Sequence, residues 1–400
     1  MVSEVEVGAR KWNMPGEFPQ ATAGSSAEVC ALFTLHRPMN ELPPIDPDVT
    51  RARPLPARFY TDSQAFDRTR EVFRASWQWL GPGLGAESGA RPELLLPDFL
   101  AEPLLATRDE AGREHLFPNV CSHRAHPVCV EATRKPRLAC GYHGRRFDLT
   151  GRCLGAPGFD GVGDFPAERD HLGELAVRRL GGHRFVRVAG DSDVPLLPHA
   201  FDLRMNLEAL VLATHDPARD RDFEVRAHWA LYVENYLEGF HVPYVHPGLH
   251  RVLDPADYAV EPFPGGVLQV GRTRRPEEAF GSESPWIGPD EPNPESVGAY
   301  YLWWFPNTMW NVYPWGVSVN VVEPLAPDRT RVRFRSFVLD RARLGSGAGG
   351  ELDAVEAEDE AVVERVQRGI RSSGWRGARY SPTEELGVHA FHRQLVRALA

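Results

Sequence analysis

Asn119–Gly151 reads NVCSHRAHPVCVEATRKPRLACGYHGRRFDLTG, and two of the chain's five cysteines stand in it with a histidine two or three residues on. Cys121 and His123 form C-x-H; sixteen residues later Cys140 and His143 form C-x-x-H. Pro118, Pro127, Gly141 and Gly144 supply the sharp turns that let two such loops point thiolates and imidazoles at one centre. Two soft thiolates with two imidazoles suit either tetrahedral zinc or a [2Fe–2S] cluster with one iron on sulfur and the other on nitrogen. Around these loops, from about residue 101 to 188, short β-forming segments broken by Gly, Pro and Asp predict a small antiparallel β domain.

The rest of the 400-residue chain bounds the possibilities. A hydrophobic share of 42% fills substantial cores, so the protein is globular. A net charge of −10 with no Lys/Arg block gives nothing for nucleic acid or an anionic membrane to bind. No apolar run reaches a membrane span, and the start MVSEVEVGARKW lacks the order of a secretory signal, so a cytoplasmic location is expected. Cys30, Cys121, Cys129, Cys140 and Cys153 are too few for a disulfide framework. Residues 1–56 are rich in proline and predict an extended, poorly packed arm. Residues 57–190 are assigned to an N-terminal helix, with Phe66, Thr69, Phe73 and Trp77 on one face, and the β domain. Residues 191–400 are assigned to a mixed domain with a central antiparallel sheet. GPGLG at Gly81–Gly85 has no βαβ unit around it and reads as a turn.

A second concentration of donors lies in ENYLEGFHVPYVHPGLH, Glu234–His250. With Trp229–Phe240 helical, Glu234, Glu238 and His241 share a face, and Pro243 is expected to stop the helix and swing His246 back toward His241. Two imidazoles that share a metal need a carboxylate to become the facial triad of a non-haem Fe(II) oxygenase. In ELDAVEAEDEAVVERVQRG the apolar stripe runs Leu352, Val355, Val362, Val366, and Asp359 is its one polar position. A carboxylate facing a core costs several kcal/mol unless a cation accompanies it. Glu356, Glu358, Glu360 and Glu364 fall off that stripe and are expected in solvent. Cys129, Cys153 and His126 are read as packing residues, and His389 and His392 as surface or packing residues.

Mixing one Cys and one His in each loop is the arrangement of a Rieske centre, and NVCSHRAHPV followed by CGYHGRRFDLTG resembles the Rieske signature of ring-hydroxylating oxygenases. ENYLEGFHVPYVH likewise resembles the N-x-x-D/E-x-x-H-x4-H motif of their α subunits, and EDEAVVERVQRG the segment holding the third ligand. The resemblance runs from about Leu55 to the C-terminus. It implies an α+β protein, with a small antiparallel β Rieske domain and a catalytic domain carrying a helix-borne mononuclear iron. The implied [2Fe–2S] ligands are Cys121, His123, Cys140 and His143, and the implied Fe(II) ligands His241, His246 and Asp359. Glu238 and Asn235 are the implied catalytic residues. It further implies a homotrimer in which His143 of one subunit meets Glu238 of the next, and Glu238 meets His241. Electrons are expected from an NAD(P)H-dependent reductase, with or without a ferredoxin, and O2 and a small organic molecule are the expected substrates.

Two departures shape the functional expectation. Glu238 stands where ring-dihydroxylating members carry Asp, which resembles the branch acting on carnitine, choline and betaine-like compounds. Arg145 stands where many members have Trp, on the expected reductase-docking surface. In AYYLWWFPNTMWNVYPWG, alternation places Tyr301, Trp303 and Phe305 on one face of a strand and Tyr300 and Trp304 on the other. These rings are read mainly as packing, with some free to form a cage for a quaternary ammonium. The expected activity is hydroxylation or oxidative dealkylation of an alkylammonium compound. Aromatic dihydroxylation is the alternative, and a Rieske electron carrier with an inert second site is the alternative of another class.

Overall fold

A computed structural model describes residues 42–190 and 204–400. Three small antiparallel sheets make up the first part. Gln78–Pro82, His183–Arg187 and Ala176–Leu180 form one; Gly89–Leu95, Glu102–Arg108 and Glu114–Pro118 form the second; Arg137–Ala139, Arg146–Asp148 and Cys153–Gly155 form the third. Gly81 and Pro82 of the GPGLG stretch end the first of these strands, and Gly83–Gly85 continue as irregular chain rather than the expected turn.

The catalytic part is built on an eight-stranded antiparallel sheet. Six of its strands, from Leu253–Phe263 to Arg329–Val338, follow one another as a meander, and Thr214–His215 and Arg221–Val225 both pair with the last. The end of the aromatic run forms a hairpin between strands Thr308–Tyr313 and Gly316–Ala326. Gly316 makes the hairpin possible: its φ is +145°, and a Cβ there would sit 2.1 Å from the Phe337 carbonyl oxygen. The strand Leu253–Phe263 was not expected, because Pro255 and Pro262 interrupt its pattern and place it at the sheet edge.

Helix Ser63–Ala75 is capped by Asp62, whose carboxylate accepts from the N–H groups of Gln64 and Ala65 at 2.8 and 3.0 Å. Its buried face, Phe66, Thr69, Val72 and Phe73, packs on both parts of the chain. Phe73 meets Phe99 of the β domain and Trp229 of the catalytic part edge to face, each at 5.1 Å. Apolar surface from both sides holds the helix between them.

The expected N-terminal arm falls partly outside the described residues. Its described part is extended but not poorly packed, since Ile45, Ala52 and Leu55 are buried in the main core. A separate small core lies beneath the cysteine loops and includes Phe117, Phe147, Cys129 and Cys153. Both extra thiols are buried in that core, in keeping with their reading as packing residues.

Candidate metal centres

Each cysteine–histidine loop is one tight hairpin repeated. The Cys121 N–H donates to the His126 carbonyl at 2.9 Å, and the Ala125 N–H to the Cys121 carbonyl at 3.0 Å. In the second loop the Cys140 N–H donates to Arg145 O at 2.8 Å, and the Gly144 N–H to Cys140 O at 3.0 Å. The fifth residue of each turn is left-handed, Ala125 at φ +56° and Gly144 at φ +69°. Glycine adopts that conformation without strain and alanine does not, so the first loop needs support. Asn119 provides it: its side chain accepts from the N–H groups of Val128 and Cys129 and donates to Cys129 O at 2.7 Å.

The hairpins face each other. The Cys121 and Cys140 thiols are in contact and each residue is only 3% exposed, while the rings of His123 and His143 lie 4.7 Å apart. Burial pushes the Cys121 thiol up, against the backbone N–H of His123. Burial and the neighbouring His143 hold the His123 imidazole below its usual range, hence neutral, and its buried Nδ1 has no hydrogen-bond partner. Paired thiols and two facing imidazoles, one with an orphaned nitrogen, fit a [2Fe–2S] cluster bound through two sulfurs and two nitrogens. His143 is exposed and Tyr142 stacks on it at 3.7 Å between centroids. His126 is a structural residue, with its Nδ1 donating to Pro127 O at 2.7 Å.

Arg145 is not a surface residue. It is 3% exposed, pairs with Asp170 at 3.0 Å, and donates to Ser122 Oγ of the opposite hairpin at 3.0 Å. Its guanidinium also lies over the rings of Phe159 and Phe165. It ties the two loops together from inside, where its planar donors satisfy several partners at once.

The second centre forms where helix Trp229–Tyr236 ends. The helix stops earlier than expected, at Leu237, so Glu238 and His241 lie in the turn after it. A Cβ on Gly239 would meet the Tyr258 ring at 2.8 Å, so this close passage requires glycine. Pro243 does not stop a helix. It sits in the first turn of Val242–Val245, where the missing N–H is tolerated, and that single turn separates His241 from His246. Glu234 faces away, accepting from Tyr60 Oη at 2.7 Å and lying 3.1 Å from His392 Nε2. Only Asp359 of the three expected ligands is carried inside a helix, Leu352–Ile370.

His241, His246 and Asp359 converge, their ligand atoms all within 4.8 Å of one another. The two Nε2 atoms are 3.2 Å apart, and Asp359 Oδ1 lies 3.0 Å from that of His246 and 3.5 Å from that of His241. Behind them, His241 Nδ1 donates to Glu238 at 2.7 Å and His246 Nδ1 to Glu358 at 2.7 Å. These partners take up both Nδ1 protons and turn both Nε2 atoms toward Asp359. Asn235 Nδ2 donates to Asp359 Oδ1 at 2.6 Å. Burial opposes charge at each member, yet hydrogen bonds to Asp359 and Glu238 hold His241 up to about 9, and the two histidines hold Asp359 down to about 2. Two imidazoles and one carboxylate sharing a pocket fit a facial Fe(II) site with open positions.

The expected apolar stripe of the long helix is out of phase. Its buried positions are Glu356, Val363, Gln367 and Ile370, and Val366 is 45% exposed. Polar residues occupy the buried face because they have partners there: Gln367 accepts from the His228 N–H at 2.8 Å, and Glu356 accepts from Tyr232 Oη at 2.7 Å. Glu356 and Glu358, both expected in solvent, therefore belong to the site. Their spacing from Asp359, one turn and one residue, was the available signal.

A cavity of about 90 Å³ opens beside the three ligands. Tyr236, Tyr258, Tyr301 and Tyr313 form its aromatic walls, with Asn311, Asn320 and Leu253 among the rest. Tyr301 is the central ring, 6.1 to 6.5 Å from the other three. Trp303, Trp304 and Trp310 are core residues, which bears out the packing reading for most of the aromatic run. Tyr236 and Tyr258 come from outside that run. His389 and His392 are both buried and pack the C-terminal helix, His389 against the Asp46 carbonyl and His392 against Tyr380.

Residues 94–166 match the family described as Rieske [2Fe-2S] domain, and residues 212–400 that described as ring hydroxylating alpha subunit (catalytic domain). The chain is 30% identical to the glycine betaine monooxygenase oxygenase subunit of Chromohalobacter salexigens, covering 84% of each chain. It is 29% identical to the chloroplastic choline monooxygenase of Arabidopsis thaliana, over 94% of this chain and 90% of the relative. It is 27% identical to the carnitine monooxygenase oxygenase subunit of Escherichia coli, over 86% and 93%. In fold it is similar to the quaternary ammonium Rieske monooxygenase CntA, with a TM-score of 0.66 at 24% identity over 89% and 97% of the two chains. The family uses a small-molecule substrate, O2 and reductase-supplied electrons, with a Rieske cluster and a mononuclear iron as cofactors. The chain thus belongs to the Rieske non-haem iron oxygenases and is an enzyme of their ring-hydroxylating α-subunit type.

Proposed function

We propose that this oxygenase hydroxylates or oxidatively dealkylates a quaternary ammonium compound. The observation that carries the reading is the cavity beside His241, His246 and Asp359, where four tyrosine rings wall a space suited to a methylated onium group. Ring faces attract such a cation, whose methyl groups need no hydrogen-bond partner. The relatives named for choline, glycine betaine and carnitine monooxygenases support the same substrate class.

In this reading Cys121, Cys140, His123 and His143 hold the [2Fe–2S] cluster and His241, His246 and Asp359 hold the iron. When bound, these groups supply electron storage and the activation of O2. The chain's own residues do the positioning. Glu238 and Glu358 keep the Nδ1 protons of the two histidines outward, and Asn235 fixes the carboxylate of Asp359. The tyrosine walls orient the onium group and exclude bulk water. An assembly of three subunits, with exposed His143 of one reaching Glu238 of the next, belongs to the same proposal and would shorten the path between centres. So does a cytoplasmic location, where NAD(P)H-dependent reductases operate. The domain division belongs to the proposal as well: an arm over 1–56, the first helices with the cluster domain over 57–190, and the catalytic domain over 191–400.

The test is oxygen uptake with a surrogate reductase across choline, glycine betaine, carnitine and simple arenes. Uptake coupled to product formation with an onium compound is expected. Coupling with arenes alone would overturn the reading.

A further inference from the structure

We propose that Glu356 is the residue that recognises the positive charge of the substrate, a specificity residue in the wall of the cavity. The inference deepens the quaternary ammonium reading and rests on it.

Glu356 lies one helical turn before Asp359 and lines the same cavity as the tyrosines. It is 4% exposed. Its Oε2 accepts the Tyr232 Oη hydrogen bond at 2.7 Å, and its Oε1 is buried with no hydrogen-bond partner among the described residues. Three neighbouring acids of the helix have cationic or imidazole partners: Glu364 pairs with Arg226, Glu358 with His246, and Asp359 with both histidines. No Arg, Lys or His nitrogen within ion-pair distance of Glu356 is found among the described residues. Nor does it belong to the group of converging metal donors, which comprises His241, His246 and Asp359.

A carboxylate without a cation in such a place is costly, and a side chain of the same volume without charge would be easier to bury. Burial, with the nearby charge of Asp359, pushes its carboxyl well above the usual range, so the empty site strains toward the neutral form. A cationic guest reverses that balance. Ring faces solvate the methyl groups of an onium ion but carry no net charge, and Glu356 adds the missing counter-charge from the wall. An uncharged molecule of identical shape receives no such gain, since it leaves the acid as it stands in the empty cavity.

The experiment compares choline with its uncharged carbon isostere, 3,3-dimethylbutan-1-ol, by anaerobic titration calorimetry on the metal-loaded holoenzyme. Wild type is expected to bind choline at least about tenfold more tightly than the isostere. Glu356→Gln keeps a partner for Tyr232 and is expected to bring the two affinities within about threefold, by loss of choline binding. Glu356→Asp keeps the charge and is expected to retain a preference for choline. The cluster's visible spectrum and iron content report that each variant is folded and loaded. A wild-type ratio near one would overturn the onium reading and this inference with it. A high ratio that Glu356→Gln leaves unchanged would overturn the role of Glu356 alone. Equal loss in the Gln and Asp variants would assign the effect to packing and overturn it too.

Discussion

Glu358→Ala tests whether the acid behind His246 holds the iron site in shape. In the structure Glu358 Oε2 accepts from His246 Nδ1 at 2.7 Å, and the His246 side chain is 1% exposed while that of Glu358 is 40% exposed. Truncating Glu358 therefore leaves no large cavity, but it strands a buried N–H, which costs about 1–3 kcal/mol, and frees the ring to change tautomer. A partner of this kind is worth roughly 10–100-fold in metal affinity, or about 1.4–2.7 kcal/mol. The two estimates agree, so Fe(II) affinity measured by chelator competition at pH 7 should fall by that factor. The cluster's visible spectrum, arising from a separate core under the cysteine hairpins, should stay unchanged and serves as an internal standard. An Fe(II) affinity within about twofold of wild type would refute the reasoning, because a ligand-orienting acid cannot be dispensable. Parallel loss of the cluster would refute the separation of the two centres.

Asp359→Ala removes the one anionic donor of the triad and should lower iron from three per chain to two, the cluster's pair, with the visible spectrum intact. Arg145→Leu should leave the fold of the catalytic part in place but cost the cluster domain about 3 kcal/mol, since it strips Asp170 of a buried partner; faster bleaching of the cluster absorbance on heating is the readout. His228 is fully buried and neutral, its pKa lowered by burial to about 3. The folded value is depressed below the unfolded 6.5, so its contribution is present above pH 6.5 and is lost as pH falls toward 3, by roughly 5 kcal/mol in all. His228→Asn, which retains an acceptor for the Ala230 N–H, should flatten the fall of Tm between pH 6.5 and 4; an unchanged slope would count against it.

Much of this site was legible because ligand chemistry constrains spacing. The hairpins around Cys121 and Cys140 need a donor, a short turn and a left-handed residue in fixed order, and such order survives in the linear chain. His241, His246 and Asp359 were found for a similar reason, although the details of the path were not. The helix ends before Glu238, and Pro243 starts a turn where it was expected to end one, because Gly239 lets the backbone pass against Tyr258, a contact far apart in sequence. Hydropathy misled at the long helix. It assigns Glu356 to solvent, while Tyr232 satisfies it in the interior, beside a buried Gln367 that accepts from the His228 N–H.

The enzyme family and the residues read as candidate metal donors were legible in the sequence alone, since each motif depends on residue type at short separations. Which acids stand behind the ligands, which aromatic rings face the cavity, and where Arg145 and the first helices pack were decided only by tertiary structure. Those properties arise from partners tens to hundreds of residues away, and a polar side chain is buried or solvated according to whether such a partner meets it.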